Sequence, residues 1–311
     1  MHRAFVLFTS FVCVAGACAP VPLLAQTADA AGARARGMGG AFTAIADDAS
    51  ATWWNPAGVA GGPYFGAVLE LDQRRDLDAS GGPTVPVRTG GFSVVYPALG
   101  LSYYRLQISE IADLTSTAEH GGNRQDLGTA GVRLRSLTLN QFGATLGQSV
   151  GDHLVLASTL KLVTGGGETH GGLDIGALAK VGMARFGLTI RNAREATFGT
   201  GADAVTLDRS VRAGAAIASD RLTVAGDSDL VTISGPEGDE RRWGVGVEAR
   251  TTARRIALRT GLSRNALRDS GSSLSGGFSL AVRSGTYLDA ALVGGSDEVR
   301  RGWGLALRVT Y

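Results

Sequence analysis

Three histidines lie beyond the first thirty residues: His120, His153 and His170. Histidine can act as a general base or a metal ligand, but no two of these share a metal-ligand spacing. His120 and His170 sit in Gly-rich stretches (EHGGN and THGG), and His153 follows a turn signal. All three read as surface loop residues. There is no G-x-S-x-G nucleophile elbow. Gly165-Gly166-Gly167 and Gly37-Met38-Gly39-Gly40 do not match a phosphate loop leading from strand into helix. Both cysteines, Cys13 and Cys18, fall in the apolar N-terminal stretch, so thiol, disulfide and zinc-thiolate chemistry is not expected of the remainder. These residue types argue against an enzyme and imply no metal and no cofactor. What remains is electrostatic: full charges at alternating positions, namely Glu70, Arg105, Lys161, Arg191, Arg212, Glu248, Arg250, Arg259, Arg283, Asp289 and Arg308.

Those charges must be carried by elements that can hold them away from apolar neighbours. The chain has 311 residues, 46 of them glycine, and a formal net charge of +2 from 30 basic and 28 acidic residues. A balance that even points to no nucleic-acid partner. So much glycine disfavours a helical bundle, since each mid-helix Gly costs about 1 kcal/mol against Ala. Past the N-terminus there is no apolar run of about 18 residues, which excludes a polytopic helical membrane protein.

Met1-His2-Arg3 is a short positive region, followed by an apolar stretch from Ala4 to Cys18. This is the pattern of an export signal, with cleavage expected after Ala25 or Ala30. Ala15-Gly16-Ala17-Cys18 faintly resembles a lipobox but lacks its usual leucine.

From residue 64 onward the sequence alternates in runs of about ten residues. In GWGLALRVTY, Trp303, Leu305, Leu307, Val309 and Tyr311 share one face; Gly302, Gly304, Ala306, Arg308 and Thr310 share the other. Fourteen such runs are expected, at about 64–73, 88–96, 99–108, 134–149, 153–164, 172–181, 184–191, 205–218, 221–232, 241–251, 254–264, 274–284, 286–294 and 302–311. The connections alternate too. They are tight at Pro97-Ala98, Val150-Gly151-Asp152, Gly182-Met183, Ser219-Asp220, Thr252-Ala253 and Gly285, and longer on the other side, the longest being 109–133. Tight turns on one side, long loops on the other and an even strand count form the layout of a bacterial outer-membrane barrel. A bilayer tolerates only a closed sheet, because no backbone group there can stay unpaired. The expectation is therefore an all-β, transmembrane, antiparallel up-and-down barrel over residues 63–311, with the apolar faces in outer-membrane lipid. The charges would line a wet lumen.

Residues 31–62 differ: they are rich in Gly and Ala, with Asp47-Asp48, then Trp53-Trp54 and Asn55-Pro56. The string from Gly37 to Gly58, G-x-G-G-A-x-x-A-x-A-D-D-A-S-A-x-x-x-N-P-A-G, resembles the N-terminal region of the FadL/PorV group of outer-membrane barrels. That group includes long-chain fatty-acid transporters and PorV/PorQ-type secretion proteins. The resemblance implies a hatch, residues 26–62, folded into the barrel and anchored by Asp47 and Asp48. In physical terms the anchors would be lumen arginines such as Arg250 or Arg308; the same pair could also cap a short helix. Asn55-Pro56 reads as an extended turn into the first strand. Trp53 and Trp54 could line a ligand path, or simply pack. The aromatic end of the last strand, Trp303 to Tyr311, resembles the signal read by the barrel-assembly machinery.

The resemblance implies uptake of hydrophobic, fatty-acid-like small molecules, caught near the external loops and released sideways through a gap in the wall. A PorV/PorQ-like accessory that docks exported proteins is the alternative. A passive pore is a third, which residues 31–62 should obstruct.

Overall fold

In the computed structural model the described residues are 23–24, 31–75, 86–113, 132–200, 204–235, 238–253, 255–267, 271–297 and 300–311. The export signal lies almost wholly outside them, as does His120.

Fourteen strands form one closed ring. They are β1 (Gly66–Arg75), β2 (Pro86–Tyr96), β3 (Leu99–Asp113), β4 (Val132–Val150), β5 (Leu154–Gly165), β6 (Glu168–Val181) and β7 (Ala184–Arg191). Then follow β8 (Ser210–Ala218), β9 (Leu222–Asp229), β10 (Arg242–Arg250), β11 (Ile256–Asn265), β12 (Ser272–Arg283), β13 (Thr286–Gly295) and β14 (Gly302–Thr310). Each pairs antiparallel with its neighbour in sequence. The ring closes where β14 meets β1, from Gly302↔Arg74 to Thr310↔Gly66. One residue further on, Tyr311 N–H donates to the Phe65 carbonyl at 2.9 Å. All fourteen seams carry ladder pairs, so the sideways gap expected from the resemblance is not open between the described strands.

The two faces differ as alternation requires. Leu160 is 67% exposed while the next residue, Lys161, is 3% exposed. Leu69, Leu292, Leu305 and Phe278 likewise point outward, whereas Glu70, Glu248, Arg259 and Asp289 are buried inside. A closed ring with an apolar exterior and an ionic interior is the physical solution for a sheet in lipid.

Several expectations are corrected. Arg105 is exposed and faces outward; it shares the parity of Leu101 and Tyr103, while Ser102, Tyr104 and Leu106 take the inward positions. Arg283 is also exposed, because a bulge between Ala281 and Arg283 resets the parity at the end of β12. The seven-residue loop expected after β5 is a two-residue turn, Gly166-Gly167, with φ of 58° and 84°. Two successive positive φ values define the turn that matches strand twist, and glycine accepts both without strain. His170 therefore lies in β6 opposite Val163, not in a loop. The run expected at 205–218 is broken: Val205–Leu207 leaves the wall to pair with Ala196–Phe198, and the strand proper starts at Ser210. The longest link is shorter than expected at both ends, since β3 runs to Asp113 and β4 starts at Val132.

Residues 31–62 lie inside the ring. They contain three short helices, α1 (Ala33–Gly37), α2 (Ala51–Trp54) and α3 (Gly58–Gly61). Their main chain presses so closely on the wall that a Cβ at Gly246 would sit 2.4 Å from the Met38 carbonyl oxygen, and one at Gly187 would sit 2.3 Å from that of Thr43.

Candidate functional site

Arg34 on α1 is the centre of the interior network. Its Nε and Nη2 donate to the two carboxylate oxygens of Glu248 on β10, each at 3.1 Å. Its Nη1 also reaches Asp48 at 3.1 Å, and Asp47. This forked geometry suits a guanidinium, whose donors match a carboxylate in pairs. Arg250 and Arg259 close on the same Glu248 from the wall. Arg259 then passes to Ser279 and Ser279 to Asp289, whose second oxygen accepts from Arg308 Nε at 2.7 Å. One chain of charges thus ties α1 to β10–β14. Breaking such a buried pair by removing one partner costs about 3–5 kcal/mol.

Asp47 and Asp48 do not pair directly with Arg250 or Arg308. Asp47 meets Arg34 and, at 3.3 Å, Arg185 on β7. Burial pushes the Asp47 carboxyl up, but the charge and hydrogen bond of Arg34, aided by Arg185, hold it below the usual aspartate range. Asp48 has a second task. Its Oδ1 accepts from the Ser50 N–H at 3.0 Å and from the Ser50 hydroxyl, setting the turn that opens α2.

Asn55 is fully buried and extended, with φ −154° and ψ 106°, as the residue before a proline should be. Its Nδ2 donates to the Thr43 carbonyl at 2.8 Å and to the wall carbonyl of Ala177 at 3.0 Å. Its Oδ1 accepts from Ala57 N–H at 3.1 Å. Pro56 therefore leads not straight into β1 but into α3. Trp53 packs on Tyr104 at 4.8 Å between centroids, with the Arg191 guanidinium 4.2 Å from its ring. Trp54 meets Phe42 at 6.1 Å, and its Nε1 donates to the Ala31 carbonyl at 3.0 Å. Both tryptophans are packed inside the lumen.

Other inward charges are paired in the wall. Lys161 contacts Asp174 and Asn192 at 2.7 Å each, and Arg212 contacts Asp229 at 2.8 Å. Glu70 lies buried on β1 beside Tyr104. Asp227 on β9 was not singled out by any motif. Its Oδ2 accepts the N–H groups of Phe42 and Thr43 at 2.9 and 2.8 Å. Arg34, Arg185 and Asp227 are charges at ordinary positions; alternation shows only that Arg185 and Asp227 face inward. At the outer seam, Trp303 is half-buried and Tyr311 exposed.

The interior is divided. At the tight-turn end a cavity of about 570 Å³ is lined by Arg34, Asp47, Arg185, Glu248, Arg250 and Arg308, among others. Towards the long loops, the inward positions of β3–β5 turn apolar. Leu106 faces Leu139 across the ladder, and Val163 joins them in one cluster with Phe198, Val205, Leu207, Trp53 and Tyr104. All are buried.

No family model and no curated protein matches the chain. Solved structures do. The toluene transporter TbuX of Ralstonia pickettii aligns with a TM-score of 0.61 over 92% of this chain and 99% of its own, at 14% identity. The monoaromatic hydrocarbon channel CymD aligns at 0.65 over 90% of this chain and 97% of its own, at 14% identity. A FadL homologue of Pseudomonas aeruginosa aligns at 0.60 over 90% and 97%, at 13% identity. This chain has the fold of the FadL-type barrels.

Proposed function

We propose that the protein stands in the bacterial outer membrane and carries hydrophobic small molecules across it, with residues 31–62 acting as the hatch and the first 25 or 30 residues as the export signal. One observation carries this reading: the inward-facing cluster of Leu106, Leu139, Val163 and Phe198, packed on Trp53 and Tyr104 on the long-loop side of the ionic network. These side chains are packed against the hatch, and they become a binding surface when the hatch shifts. A hydrophobic cargo gains there from every Å² withdrawn from water. The toluene and monoaromatic transporters named above share the fold, which supports hydrocarbons as well as fatty-acid-like compounds as cargo. The barrel-assembly machinery would read the end of β14.

Docking of exported proteins, in the manner of PorV/PorQ accessories, is the second reading. It is favoured by the unbroken ladder around the wall, which offers a cargo no sideways exit without rearrangement. Plugging of the lumen by residues 31–62 weighs against a passive pore. The test is uptake of radiolabelled toluene and oleate by a deletion strain, with and without the gene restored. Uptake falling on deletion and returning with the gene is expected. Unchanged uptake together with loss of secreted proteins from the cell surface would establish docking instead.

A further inference from the structure

The outer face of the wall carries a depression that transport through the lumen does not use. It lies over β2–β6 and encloses about 890 Å³, within the range of about 300–1,000 Å³ typical of small-molecule sites. Its sides are apolar. Phe92, Tyr103 and Phe142 form a stepped stack with centroids 5.9 and 4.8 Å apart, and Leu160 and Leu162 stand beside it. Its floor is bare main chain at Gly171, where no atom lies within 4 Å of the place a Cβ would take.

One cation stands at its rim. Arg194 lines the depression, is exposed, and makes no ion pair or hydrogen bond among the described residues. The Ala193 N–H donates to the Leu173 carbonyl at 2.8 Å, which fixes Arg194 beside Gly171 and Gly172. This is the level where the outward apolar series on β5, Leu156, Leu160 and Leu162, gives way to the polar Thr164–Thr169 pair. Arg194 therefore sits at the upper edge of the lipid belt, on the long-loop side. An arginine at that depth with no partner among the described residues is placed to meet lipid headgroups, and its fork of donors fits a phosphate.

We propose that this groove binds one phosphate-bearing acyl lipid of the surrounding membrane, its acyl chains along the aromatic stack and its phosphate on Arg194. The inference rests on the barrel standing in a bilayer but not on what passes through it. A transport assay and a lipid-binding assay can therefore fail separately.

The test is native mass spectrometry of the full-length barrel in mild detergent, with dimyristoylphosphatidic acid or dimyristoylglycerol added. Retention of one phosphatidic acid per barrel is expected, with the diacylglycerol held more weakly. Arg194→Ala should weaken the phosphatidic acid about fivefold, the worth of one basic side chain at an anionic lipid, and leave diacylglycerol unchanged. Gly171→Leu fills the floor and should abolish both; Phe142→Ala is a second groove variant, and heat-modifiable gel mobility checks that each variant folds. Equal retention of the two lipids, retention undiminished by Gly171→Leu, or a dimer mass that this substitution disperses would overturn the proposal.

Discussion

Arg34 serves three carboxylates at once, so its loss cuts Asp47 and Asp48 off from Glu248, leaving Asp47 to Arg185 and Glu248 to Arg250 and Arg259. Arg34→Ala is expected to loosen residues 31–62 while the wall persists. Hydrogen exchange should show faster labelling of that segment, equivalent to a loss of about 3–5 kcal/mol of local protection. The conservative Arg34→Lys keeps the charge but not the fork, and should recover only part of it. The same contact fixes a pH dependence. The folded Asp47 carboxyl lies below its ordinary range, so its contribution is complete at neutral pH. It falls away as the pH drops below the ordinary aspartate value and through the depressed one. The protection of Ala33–Met38, measured as the exchange rate relative to the intrinsic rate at each pH, should thus be high at pH 7 and fall in acid; a fall on the alkaline side instead would contradict the assignment.

At the scale of strands and turns, side-chain parity governs what a substitution does. Leu160→Arg puts a charge into lipid, and should destabilise folding into vesicles by about 2–4 kcal/mol if it lies at mid-bilayer depth. Arg105→Leu, outward on the long stretch of β3, should stay within about 0.5 kcal/mol; urea titrations in lipid vesicles compare the two. Gly246→Val brings a side chain onto the Met38 carbonyl. The expected result is a barrel that still shows heat-modifiable mobility but conducts ions more readily in planar bilayers, its plug pushed aside. Alternation and tight links were legible because both are local: a face repeats every second residue, and a turn needs only two or three. The fourteen strands overlap the fourteen alternating runs and the six expected tight connections fall between them, but the run at 205–218 is broken and a seventh tight turn, Gly166-Gly167, stands where a longer loop was expected. What was not legible is long-range or depends on parity. Glu248 lies 214 residues from Arg34, and nothing near Asp47 points to Arg185. For Arg105, the type of side chain suggested the lumen while its place in the count put it outside.

The whole molecule is a ring with uneven walls around an amphipathic interior. β4 has 19 residues and β7 has 8, so the sheet rises much further on the side that bears the apolar patch. Deleting residues 31–62 should leave this ring standing, since every strand is paired to two others, and liposome-swelling rates for small sugars should rise from near background to those of an open pore. If swelling stays low, the lumen is closed by something besides that segment. The mouth at the tight-turn end would then be lined by the bare charges of β10–β14 and open to water and ions.

Where Gly187, Gly244, Gly246 and Gly261 meet the inserted segment, they touch main-chain atoms, which every residue possesses. A seat shaped that way checks the path of its occupant, not its spelling. Substitutions that keep that main-chain path and its ionic anchors can therefore accumulate without unseating it, and shape in such a molecule is free to outlast its sequence.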